Sequence, residues 1–117
     1  MKKHESCVIG KKIKHPNRII NKLSKGKPVH SVYLVLIPET SGRPEIISST
    51  LVNKNYLKII DSCVLCLVKN ESEALEYIRR FTEISYRKYN DFLPEKVLSE
   101  LSPEDIKFLS DLKEEEE

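Results

Sequence analysis

Residues 63–90, CVLCLVKNESEALEYIRRFTEISYRKYN, decide how this chain is read. Cys63-Val64-Leu65-Cys66-Leu67-Val68 is the most apolar run in the sequence and has the form of a central strand, buried on both faces. Asn70 then opens a helix through Asn90. Asn70 followed three residues on by Glu73 has the form of a capping box, so the Asn70-Glu71-Ser72 triplet reads as a helix cap and not as a glycosylation signal. At 100° per residue Ala74, Ile78, Phe81, Ser85 and Tyr89 fall on one stripe, flanked by Tyr77 and Ile84. Glu76, Arg79, Arg80, Glu83 and Arg87 take the opposite side. Glu76/Arg80 and Glu83/Arg87 are spaced four apart with the acid first, each contributing about 0.3 kcal/mol, and argue for a solvated face.

Upstream, residues 30–37 are rich in β-branched and aromatic types and read as a buried strand. Pro38 to Pro44 is a cluster of turn formers, and Glu45 to Val52 reads as the return strand of a hairpin. Tyr56 to Ile60 fits either a strand or a helical turn. Near the start, Cys7-Val8-Ile9 reads as a short strand. Pro16 to Lys25, with Ile19, Ile20 and Leu23 at helical spacing, reads as a helix opened by Pro16 and closed by Gly26. Downstream, Glu95 to Leu101 is a short helical piece, and Ser102-Pro103-Glu104-Asp105 starts another helix with a cap residue, a first-turn proline and two acids.

These elements predict an α+β fold: a small antiparallel sheet of about four strands, one long packed helix over 70–90, an N-terminal helix and a C-terminal helical segment. Residues 1–113 are expected to form a single domain and 114–117 a frayed acidic tail. The 117 residues are 39% hydrophobic and 32% charged with no Trp, the composition of an ordinary globular protein. A chain of this length should bury roughly 65% of the surface its unfolded form exposes. No stretch has the ~20 apolar residues of a membrane helix, and no apolar core follows Met1-Lys2-Lys3-His4-Glu5, so a cytoplasmic location is expected.

Charge is split along the chain. Residues 1–28 hold nine Lys/Arg against Glu5 alone, a local net charge of +8, whereas residues 91–117 hold ten acids against three lysines, a net charge of −7. The acidic end is accounted for locally, by helix starts and the closing run of Glu. The basic end has two readings. In the first it attracts nucleic-acid phosphate through Lys11, Lys12, Lys14, Arg18, Lys22 and Lys25, with Arg18, Lys22 and Lys25 on one helix face. In the second it packs against the acidic segment, within the fold or across a dimer.

Other motifs carry less. Cys63-x-x-Cys66 with His4-x-x-Cys7 would make a Cys₃His zinc set only if the apolar run turned, because residues three apart on a regular strand point to opposite faces. Buried core thiols are the plainer reading of an odd set of three cysteines, with no disulfide framework. His4, His15 and His30 lie in no triad pattern, and no phosphate-loop, dinucleotide, zinc-protease or hydrolase-elbow motif is present. No catalytic residue, metal or cofactor is therefore assigned. The expected function is a small non-catalytic nucleic-acid-associated protein, binding DNA or RNA. The alternative is a protein-interaction module or small subunit, as homodimer or hetero-oligomer, presenting Tyr33, Tyr56 or the Phe108/Leu109/Leu112 stripe to a protein partner.

Overall fold

The computed structural model describes residues 2–27, 29, 32–38, 42–51 and 63–112. The readings made for Tyr56–Ile60, for His30 and for the Glu114–Glu117 tail lie outside the described residues. Four strands, β1 (Lys2–Ile9), β2 (Tyr33–Ile37), β3 (Glu45–Ser48) and β4 (Cys63–Val68), form one sheet in the order β1-β4-β2-β3. Among the described residues four α-helices accompany them: α1 (Pro16–Ser24), α2 (Glu71–Tyr89), α3 (Pro94–Ser99) and α4 (Pro103–Ser110). The α+β architecture, the four strands and the long helix match the expectation.

The apolar run is indeed an interior strand, with Val64 to Val68 all buried. The sheet is mixed, not purely antiparallel: β2 runs antiparallel to both β3 and β4, but β1 runs parallel to β4. Parallel neighbours need a crossover, and here the α1 helix and the β2–β3 hairpin separate β1 from β4 in sequence.

Pairing across β2 and β4 steps from Val35↔Cys66 to Leu36↔Val64, leaving Leu65 as an extra residue on β4. Such a bulge resets the two-residue alternation. Ile37 pairs with Cys63 and Val35 with Cys66, so the two cysteines share a face of the sheet, against the expectation for a regular strand.

Each face is covered by different helices. Leu34, Leu36, Val64 and Leu67 pack with Ile13, Ile20 and Leu23 of the α1 side. Val35, Leu65, Cys66 and Val68 pack on the other side with Ala74, Tyr77, Phe81 and Ile84 of α2, Val97 of α3, and Leu109 and Leu112. The sheet thus lies between α1 and the α2–α4 group.

The α2 helix starts where predicted because Asn70, extended at φ −136° and ψ 157°, accepts from the Glu73 N–H at 3.0 Å and donates to Glu73 Oε1 at 2.8 Å. It ends at Asn90 in the left-handed conformation, φ 54°. Its buried stripe runs through Glu73, Ala74, Tyr77, Arg80, Phe81, Ile84 and Ser85, leaving Ile78 and Tyr89 half-buried. The stripe is rotated from the apolar one because α4 docks on the Arg80 side. Arg80, expected on a solvated face, is buried: its Nε bonds Glu76 Oε1 at 2.9 Å and its Nη1 donates to the Phe108 carbonyl. Glu83 and Arg87 stay exposed, 3.7 Å apart.

Ser85 Oγ donates to the Asp91 carbonyl and accepts from the Leu93 N–H, both at 2.7 Å, which explains a hydroxyl in the apolar stripe. Ser102 and Asp105 complete a reciprocal capping box on α4. Leu109 and Leu112 are buried in the chain's own core, so that part of the stripe expected to face a partner is already used internally. Tyr33 is half-buried against the same core, and Tyr56 lies outside the described residues.

Candidate nucleic-acid interface

The basic segment leaves the sheet at Gly10, whose N–H donates to the Leu67 carbonyl at 2.8 Å. A Cβ here would sit 3.1 Å from Glu73 Oε2, 3.2 Å from Val68 Cγ1 and 3.3 Å from Val68 Cα, so a residue without a side chain lets the chain pass close over the start of α2. The Ile13 N–H closes the following turn onto the Gly10 carbonyl at 3.0 Å, and Ile13 plugs into the α1-side core. Lys11, Lys12 and Lys14 flank that anchor, and all three are exposed.

Pro16 occupies the first position of α1, preceded by His15 in the left-handed conformation at φ 56°. At the other end Gly26, at φ 71°, donates to the Leu23 carbonyl at 3.0 Å. Ile20 and Leu23 hold the helix to the sheet. Projected at 100° per residue, the outward arc consists of Asn17, Asn21, Lys25, Arg18 and Lys22, and all five are exposed. The arc contains no acid. Lys3 joins it from β1, its Nζ donating to Asn17 Oδ1 at 3.1 Å.

All six cations singled out from the sequence are therefore solvent-facing. Asn17, Asn21 and Lys3 are neighbours that sequence reasoning passed over. Helical projection of the Pro16–Lys25 segment contains the signal for the two asparagines, but Lys3 meets Asn17 only through the fold.

The acidic C-terminal helices lie on the other side of the sheet and have partners there. Lys88 Nζ pairs with Asp105 and also donates to the Glu100 carbonyl at 3.1 Å. Burial pushes the Asp105 carboxyl up, but hydrogen bonds from Lys88 and Ser102 outweigh it and hold the group below its ordinary range. The Tyr89 hydroxyl donates to the Glu100 carboxylate. Among the described residues no carboxylate pairs with Lys11, Lys14, Arg18, Lys22 or Lys25.

Desolvation pushes the Cys7 thiol up to about 12 and raises Cys63, while Cys66, fully buried, is driven well above the ordinary thiol value. The His4 ring accepts from the Ser6 N–H at 3.0 Å through Nδ1. Among the described residues no cluster of three or more His, Cys, Asp or Glu could hold a metal ion. No helix of the described residues is long and apolar enough to cross a membrane.

No family model, no curated protein and no solved structure matches this chain.

Proposed function

We propose that this is a small non-catalytic protein that associates with nucleic acid, contacting phosphate through Lys11, Lys12, Lys14, Arg18, Lys22 and Lys25. One observation carries the reading: these cations are all exposed on one continuous turn-and-helix segment, across the sheet from the acidic helices. Packing of the basic segment against the acidic one would bring carboxylates to α1, and among the described residues none pairs with Arg18, Lys22 or Lys25. A face of one sign attracts a polyanion over several ångströms, weakening as salt screens it.

The test is a titration of the full chain against DNA and RNA of mixed sequence over a salt series. If about five phosphates are neutralised, log affinity falls with log salt at a slope of roughly −4.5 on duplex DNA. Absence of binding at low salt overturns the proposal.

A further inference from the structure

We infer that the polyanion suited to this face is a duplex, gripped by its phosphate backbone, and not a single strand. The inference rests on the nucleic-acid reading above and goes on to name the form of the ligand. Single strands are commonly held by stacking their bases on aromatic rings beside a basic groove. Residues 1–32 contain no Phe, Tyr or Trp, so on β1, the Gly10–Ile13 turn and α1 the exposed planar groups are His15 and Arg18 alone, too few for a run of stacked bases. The described aromatic side chains lie elsewhere. Tyr77 and Phe81 are buried in the core on the α2–α4 side, Tyr33, Tyr89, Phe92 and Phe108 are partly buried against that core, and Tyr86 is exposed on α2.

The cations, in contrast, are set on a rigid frame. Ile20 and Leu23 fix α1 to the sheet, and Ile13 anchors the turn that carries the three other lysines. From Arg18 to Lys25 the charges span about 10 Å of helix axis. A frame of fixed spacing loses little freedom on meeting a ligand whose phosphates are also fixed, whereas a flexible strand must itself be ordered. A helix about 10–12 Å across also fits beside or within a duplex groove about 12 Å wide. With long, flexible ammonium and guanidinium groups aimed outward, phosphate is the natural contact and sequence preference is weak.

The experiment compares one 20-base-pair duplex with each of its strands, by fluorescence anisotropy in 50 mM salt. Tighter binding to the duplex than to either strand is expected, with a slope set by about 0.9 of a counterion per phosphate contacted. The triple variant Arg18→Gln/Lys22→Gln/Lys25→Gln should lose roughly 2.7 from that slope. Lys107→Gln, an exposed change on α4, should leave it unaltered, and far-ultraviolet circular dichroism verifies that each variant is folded. Equal or tighter binding to the single strands overturns this inference while leaving nucleic-acid association standing, whereas an unchanged slope in the folded triple variant overturns the α1 phosphate contacts on which both rest. Silence with every ligand overturns both.

Discussion

The guanidinium of Arg80 lies over the ring of Phe108, its Cζ 4.9 Å from the ring centroid, while its Nη1 donates to the carbonyl of the same residue. One side chain of α2 thereby grips both the ring and the backbone of α4. Arg87 approaches the same ring from farther along α2, 5.5 Å from the centroid. A lysine could make any one of Arg80's contacts, but the ring, the Phe108 carbonyl and Glu76 are met together only by a planar, multi-donor guanidinium.

Arg80→Ala is accordingly expected to destabilise the protein by about 2–4 kcal/mol, since it leaves the Phe108 carbonyl and Glu76 without their buried partner. Arg80→Lys should restore less than half of the loss. Urea unfolding checks both, and a cost below about 0.5 kcal/mol for the alanine variant would show that α4 docks without this grip.

The Glu76 carboxyl is held down at about 2, against an ordinary 4.5, by hydrogen bonds from Arg79 and Arg80. A carboxylate depressed on folding adds stability that is fully present above pH 4.5 and is lost as pH falls through the folded value near 2. The stability difference between the wild type and Glu76→Gln should therefore be constant from pH 5 to 7 and shrink below pH 4.5. The measure is urea unfolding of the two proteins across that range; a difference that grows on acidification contradicts the assignment.

At Gly10 a methyl group would press on the Val68 backbone at 3.3 Å as well as on Glu73, and the strand interior cannot retreat. Gly10→Ala should cost about 1–3 kcal/mol, read as a lower urea midpoint at unchanged slope.

The Ser85 hydroxyl joins α2 to the turn before α3 through its bonds to Asp91 and Leu93. Ser85→Ala leaves both backbone groups without that partner and should cost about 1–3 kcal/mol. Hydrogen exchange should rise first at the Leu93 amide, and an unmoved Leu93 would mean that the turn holds by packing alone.

For Cys7, a thiol at about 12 against an ordinary 9.0 carries about a thousandfold less thiolate at neutral pH. Iodoacetamide at pH 7.5 should modify it slowly in the folded protein and rapidly in urea, with Cys66 unlabelled until unfolding. Fast labelling of native Cys7 would contradict its burial.

Elements with strong local signals were legible without the fold. The Asn70 cap, the Ser102 cap, Pro16 and Gly26 at the ends of α1, and the apolar β4 run each depend on neighbours within a few residues, so the sequence alone determines them. The exposure of the α1 cations belongs here too, because Ile20 and Leu23 settle which side of that helix turns inward. Long-range pairing is different, since no local pattern states which strand lies beside which. The parallel docking of β1 on β4 and the bulge at Leu65 that puts Cys63 and Cys66 on one face are decided by register between distant segments. The same holds for Arg80: on helical periodicity it belongs to the charged side, and only the arrival of α4, 28 residues away, makes it an interior group. Tertiary structure also decided that α1 and the described acidic helices pack on opposite faces of the sheet. Apolar burial on each face, through Ile20 and Leu23 on one side and Val97, Leu109 and Leu112 on the other, is the physical reason for that placement.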